Sequence, residues 1–289
     1  MYKNFYGLTC NPFGVSPDPF FFYPTPRHTE ALANLAYGVL RRRGFVVVTG
    51  EVGTGKTLLV RCLLESLSNN KVAFAFVYNP RVSVDEFLTH VISDFGLLPP
   101  ISRRKGEALS LLNNYLMERA RDDLTTALIV DEAQLLSWDL LEEIRLLTNL
   151  ETTKHKLLQI VLVGQPEFER KLDSQQLRQL KQRIGLRCTL KPLEFDEMKG
   201  YIHRRLQLAG ANSHAAAIFP EQTLTLIRSL SRGLPRLVNT ICENSLLLGF
   251  GYRQSQITPE IVNEVARDLR LDCTEDSSEL SMKLNFRRE

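Results

Sequence analysis

Apolar residues follow two rhythms along the chain. Up to about residue 190, short apolar runs at Phe45-Val46-Val47-Val48, 72–78, 124–130 and 157–163 alternate with longer stretches of three- and four-residue apolar spacing. Runs of that length read as strands. A shorter strand is expected at 186–190. Thr25 and Pro26 supply the N-cap and first-turn proline of a helix running to about Arg43. Ser83-Val84-Asp85-Glu86 is a capping box opening another helix, and 140–150 reads as a third. Strands separated by helices predict an α/β fold, a parallel sheet with helices on both faces.

From Lys191 the rhythm changes. Segments 194–209, 221–231, 235–249 and 258–269 keep helical spacing with no further strand, so a small all-helical domain is expected, joined at Lys191-Pro192-Leu193. At the other end, Asn11-Pro12-Phe13 and Ser16-Pro17-Asp18-Pro19-Phe20-Phe21-Phe22-Tyr23-Pro24 are too proline-rich for a regular helix. Residues 1–26 therefore read as an extended arm laid over the core. The stretch 271–289 is polar, mixed in charge and expected to be loose.

Composition narrows the class without naming it. Hydrophobic residues make up 44% and charged residues 24%, an ordinary globular balance. The net charge of +3 gives no chain-wide signal for a polyanionic partner. The 5 cysteines, at positions 10, 62, 188, 242 and 273, show no C-x-x-C spacing, which favours free thiols over a disulfide framework or zinc site. No apolar run is long enough to span a bilayer, and the start has no signal-peptide core, so a cytoplasmic protein is expected.

The chemistry enters at Gly50-Glu51-Val52-Gly53-Thr54-Gly55-Lys56-Thr57, which fits G-x-x-x-x-G-K-[ST] and follows an apolar run. Glycines let backbone amides close around phosphates, and a helix N-terminus adds partial positive charge. Lys56 reaches β/γ oxygens in such a cradle and the Thr57 hydroxyl ligates Mg²⁺. Residues 27–190 therefore read as a P-loop domain. The run 127–130 ends in Asp131-Glu132: Asp131 suits Mg²⁺, and Glu132 suits polarisation of a water attacking the γ-phosphate. Without a recognisable acceptor site, hydrolysis is expected rather than transfer. Gln165 ends the next strand, whose tip in such a sheet lies between the other two, where its amide can orient the lytic water. Arg236, in Gly233-Leu234-Pro235-Arg236, opens a helix of the small domain and can report nucleotide state to a lid. Arg178, Arg183 and Arg187 form a basic stretch that is either a solvated face or a source of an arginine finger.

Together these segments resemble the nucleotide motifs of AAA+ ATPases. Tyr6-Gly7-Leu8, Asn11-Pro12-Phe13, Pro17-Asp18-Pro19, His28-x-Glu30-Ala31-Leu32 and Arg42-Arg43-Gly44-Phe45 further resemble the ExeA-type ATPases of general secretion pathways, over about residues 1–270. The resemblance implies a Walker A loop at 50–57 contacting ATP, with Leu58 beside it, and a Walker B pair at Asp131 and Glu132. It implies sensor roles for Gln165 and Arg236, although that first position more often carries Asn, Ser or Thr. It implies a helical lid at 191–270, a finger at Arg183 with Arg178 in reserve, and an adenine contact from His28. A finger from the next subunit implies a ring or filament. Longer ExeA proteins continue into a membrane span and a peptidoglycan-binding domain.

Two functions compete. One is an oligomeric, cytoplasmic ATPase, peripheral to the inner membrane through partners, that drives or regulates assembly of a cell-envelope secretion or polysaccharide-export system. The other is an ATP-dependent DNA-binding regulator of the transposition or initiator type, supported by Arg41-Arg42-Arg43 and Arg103-Arg104-Lys105. A non-enzymatic ATP-gated scaffold is a third, against which Glu132 argues.

Overall fold

The computed structural model describes residues 2–68, 71–100, 104–153, 155–211 and 215–271. Arg103, Cys273 and the tail from residue 272 on lie outside the described residues. The chain forms two compact units, one of Pro24–Lys191 and one of Met1–Tyr23 with Pro192–Glu289.

In chain order the elements begin with a single helical turn, α1 (Tyr2–Phe5), and a 3-10 turn at Pro19–Phe21. The first unit then runs α2 (Pro26–Leu40), β1 (Phe45–Gly50), α3 (Lys56–Leu67), β2 (Ala73–Val77), α4 (Val84–Asp94) and α5 (Lys105–Arg121). It continues with β3 (Thr126–Val130), α6 (Trp138–Leu147), β4 (Gln159–Gly164), α7 (Pro166–Leu172), α8 (Arg178–Lys181) and β5 (Ile184–Leu190).

The strands form one parallel sheet in the order β2-β3-β4-β1-β5. Every residue of β1, β3 and β4 is buried, as their unbroken apolar runs require. Phe45, Val47, Leu128, Val130, Ile160 and Leu162 point into a core with residues of α4, α5 and α6. On the opposite face α2 comes so close that a Cβ on Gly38 would sit 2.4 Å from Val46 Cγ2. Helices therefore cover both faces, and β4 lies between β1 and β3, bringing three strand tips together.

The expected caps form. Thr25 accepts from His28 N ahead of Pro26, and Ser83 and Glu86 close a reciprocal capping box. α2 stops at Leu40, short of Arg43, because Arg42 adopts a left-handed φ of 52° and Arg43 N turns back to Gly38 O at 3.0 Å. That is a helix-terminating geometry glycine usually supplies. α6 spans residues 138–147 instead of 140–150, since Ser137 caps it and Arg183 holds its last turn. α5, α7 and α8 carry weak apolar patterns and were not expected.

The second unit contains α9 (Phe195–Leu206), a π turn (Gln207–Ala211), α10 (Ala215–Ile218), α11 (Glu221–Ser231), α12 (Pro235–Gly251) and α13 (Pro259–Asp268). Residues 2–23 are not an extended arm but part of this unit's core. Tyr2, Tyr6, Leu8, Phe13 and Phe21 are buried among Ile202, Phe219, Ile241 and Leu246. Tyr2 Oη donates to Glu243 at 2.8 Å, Asn11 Nδ2 to the same carboxylate at 3.0 Å, and Tyr6 Oη to Gln254 O at 2.9 Å. Buried Arg205 donates to Pro12 O at 2.5 Å and covers the Phe21 ring at 4.7 Å. The first turn is helical because the prolines begin only at Pro12.

Gly233 ties the unit together. Its φ is +75°, a Cβ would lie 2.2 Å from Leu193 O, and Leu193 N donates to Gly233 O at 2.8 Å. Among the described residues no helix is long and apolar enough to cross a membrane.

Candidate functional site

β1 ends at Gly50 and α3 begins at Lys56, so the loop between them sits at the tip of a central strand. Gly53 and Gly55 take φ values of 83° and 96°, conformations that cost other residues about 1–2 kcal/mol. Gly50 is confined differently: a Cβ there would lie 2.8 Å from Thr54 Oγ1 and 2.9 Å from Leu190 O. Thr54 closes the loop on itself, its Oγ1 donating to Glu51 O at 2.8 Å.

The N-cap of α3 is Gly55, which has no side chain to satisfy the first turn. The helical ladder starts with Leu59 N to Gly55 O at 2.9 Å, which places the amides of Lys56, Thr57 and Leu58 ahead of it. A cluster of unsatisfied N–H groups at the positive end of a helix is an anion cradle.

Lys56 is only 8% exposed and donates to Gly50 O at 2.7 Å and Glu51 O at 3.0 Å. Burial lowers its pKa, while the nearby Glu132 and Asp131 charges oppose that shift. Thr57 Oγ1 donates to Asp131 Oδ2 at 3.0 Å, joining the loop to the tip of β3. Burial raises the Asp131 carboxyl above its usual range, against the hydrogen bonds from Glu132 N (2.8 Å, to Oδ1) and Thr57. Thr57 and Asp131 therefore present two hard oxygen donors side by side, a set suited to Mg²⁺.

Glu132 begins the loop beyond β3 with a φ of 52°. Its Oε2 accepts from Gln165 Nε2 at 3.2 Å and from Gln134 Nε2. Gln134, which sequence reasoning passed over, turns back through the 3-10 segment Ala133–Leu135, and its Oε1 accepts from Gln165 N at 3.0 Å. Its only sequence signal was position, two residues beyond an acidic strand end. His28 lies 2.7 Å from Thr25 Oγ1 through Nδ1 and 3.3 Å from Thr54 O through Nε2, against the loop itself.

Lys56, Thr57, Asp131, Glu132, Gln165 and His28 are thus gathered in one unit. Arg183 sits elsewhere: its guanidinium donates to Arg145 O at 3.0 Å, Thr148 Oγ1 at 2.5 Å and Asn149 Oδ1 at 2.8 Å. Arg187 pairs with Glu169, while Arg178 is exposed on α8. Arg236 is exposed on the first turn of α12, in the helical unit.

A parallel sheet in this order, with a glycine loop after β1 and an acidic pair after β3, defines a P-loop fold of the AAA type. Residues 39–172 match the family described as AAA domain. Residues 39–172 thus form a domain of the AAA type, and the chain resembles the General secretion pathway protein A of Aeromonas hydrophila, with 42% identity over 252 residues. That match covers 86% of this chain but 45% of the relative, so the chain spans about half the length of the protein it matches. Among solved structures, Cdc6p from Pyrobaculum aerophilum aligns with a TM-score of 0.66 at 22% identity, over 90% of this chain and 71% of that one. The Aeropyrum pernix ORC2 protein, solved as ADPNP-ADP complexes, gives 0.61 at 17% identity over 86% and 71%. The RuvB Holliday junction branch migration motor of Thermotoga maritima gives 0.55 at 16% over 86% and 71%. At such identities these three share the fold.

Proposed function

We propose that the chain binds ATP with Mg²⁺ and hydrolyses it. The observation that carries this reading is the convergence of an uncapped, glycine-shaped helix start and buried Lys56 with Thr57, Asp131 and Glu132 at adjacent strand tips. The loop amides and Lys56 receive the phosphates, and His28, whose Nε2 lies 3.3 Å from Thr54 O, is the contact proposed for the adenine. Thr57 and Asp131 fit Mg²⁺, which when bound supplies charge neutralisation on the phosphate oxygens. Glu132 takes the proton of the attacking water, and Gln165 orients that water. Measured as steady-state phosphate release, Glu132→Gln is expected to cut turnover by about 100-fold or more while retaining nucleotide binding. Lys56→Ala is expected to lose both. Unchanged turnover in the two variants refutes the reading.

Activity is proposed to need a second copy, in a ring or filament, with an arginine from the neighbour completing the site and Arg236 coupling nucleotide state to the helical unit. Arg183 was the sequence preference for the finger. Its three acceptors at the end of α6 leave exposed Arg178 as the better-placed donor to another subunit.

The likeness to a general secretion pathway protein supports a role driving or regulating assembly of a cell-envelope secretion or polysaccharide-export system, from the cytoplasmic side and through partners. The DNA reading has less behind it. Arg42 pairs with Asp123 at 2.8 Å, Arg43 lies over the Tyr37 ring, and Lys105 pairs with buried Glu143 at 2.5 Å. Two of those three cations are thus paired with carboxylates of the chain. Tight, salt-dependent DNA binding in ATP would reverse this preference.

A further inference from the structure

We propose that Gln134 is a positioning residue that, with Gln165, fixes the orientation of the Glu132 carboxylate for water activation. The inference rests on reading the site as one for ATP hydrolysis.

The three side chains form a closed ring. Gln134 Nε2 and Gln165 Nε2 both donate to the same oxygen, Glu132 Oε2, and Gln134 Oε1 accepts from Gln165 N at 3.0 Å. Among the described residues Glu132 Oε1 has no partner. One carboxylate oxygen is therefore pinned twice and the other is left for a water molecule. A general base must be held at hydrogen-bond reach of the proton it takes, and a freely rotating glutamate is not.

The local fold is shaped to make this ring. The left-handed backbone at Glu132 reverses the chain so that Gln134 returns over its neighbour's carboxylate. Gly164 makes room at the tip of β4, since a Cβ there would lie 3.0 Å from Phe168 Cβ and 3.2 Å from Gln134 Oε1. From α7, Lys171 Nζ donates to Leu136 O and covers the Trp138 ring at 5.1 Å, anchoring the turn that carries Gln134. None of these contacts touches the phosphate loop, so the device acts on the base without shaping the cradle.

The test uses the full chain with Gln134→Met, which keeps length and volume but has no donor, and Gln134→Glu, which keeps the acceptor for Gln165 N. Both are expected to lower kcat by about 10- to 100-fold. KM and the affinity for a fluorescent, non-hydrolysable ATP analogue are expected to stay within about twofold. The Gln134→Met/Gln165→Met double variant is expected to be no slower than the worse single one, because the two amides serve one oxygen. Unchanged or faster turnover overturns the inference, and so do additive losses or a loss of affinity parallel to kcat. If Gln134→Met fails to fold, Gln134→Glu carries the comparison. A wild-type chain without turnover counts against ATP hydrolysis itself, whereas an active wild type with indifferent variants counts against Gln134 alone.

Discussion

Glu132 pays a conformational cost that its neighbours do not. Arg42, Asp123, Arg232, Arg253 and Arg270 also have positive φ, but each lies just past a helix end, where that geometry stops the helix. Glu132 adopts it at the tip of a strand, beside the phosphate loop. Strain of about 1–3 kcal/mol persists at such a place when surrounding contacts enforce it. Here Asp131 Oδ1 accepts from Glu132 N at 2.8 Å, and Glu132 O accepts from Leu135 N at 2.8 Å. Glu132→Gly is therefore expected to abolish turnover yet raise the melting temperature by about 2–4 °C, while Glu132→Ala, still strained, does not. Differential scanning fluorimetry on the two variants separates these outcomes. The gathering of the glycines, Lys56, Thr57 and the acidic pair was legible in sequence because each group follows directly on an apolar run that becomes a central strand. Gln134 was not, since its meaning comes from a backbone reversal that no residue type at 132 announces.

Single elements show where patterning runs out. Continuous apolar runs located the strands, and Ser83 with Glu86 located the start of α4. The last turn of α6 depends instead on Arg183, brought from far along the chain to three oxygens at residues 145–149. The basic stretch alone does not separate Arg183 from a solvated arginine, and it was the family resemblance that pointed to it as a finger. Arg183→Ala is expected to destabilise the fold by about 1–3 kcal/mol in urea unfolding, because acceptors lose a charged donor. Arg178→Ala is expected to leave stability unchanged. α1 and α12 offer a pH test. Burial holds the Glu243 carboxyl above its ordinary range, although Tyr2 and Asn11 donate to it. A raised folded-state pKa stabilises fully below the unfolded value, about 4.3, and that stabilisation is lost as pH rises through the folded one. Glu243→Gln is accordingly expected to melt above the parent protein at pH 7, with the gap closing by about pH 4.

For the molecule as a whole, the parallel sheet covered on both faces followed from strand–helix alternation, and the helical segments after Lys191 from its end; the full strand order came only with the structure. The partition did not: proline-rich residues 2–23 looked like an appendage, yet their aromatic side chains complete the core of the helical unit. Proline content excludes a long helix but says nothing of where the intervening aromatics are buried. If the ATP site is completed between copies, the Glu132→Gln chain in ATP and Mg²⁺ is expected to elute from light-scattering chromatography as a larger species than without nucleotide. Arg178→Ala is expected to keep nucleotide affinity and lose turnover, which mixing with a Lys56→Ala chain would partly restore. An unchanged mass in all conditions would remove the shared-site reading.

The two stretches that build the helical unit, 2–23 and 192–271, are separated in sequence by the whole α/β unit. Synthesis order therefore matters. The ribosome releases Tyr2, Tyr6, Phe13 and Phe21 long before Ile241 and Leu246 exist to cover them. Throughout translation of the sheet, an aromatic segment waits without its core, and only the last helices withdraw it from chaperones and from other nascent chains. A fragment that stops at Lys191 would keep every strand yet carry that waiting segment permanently.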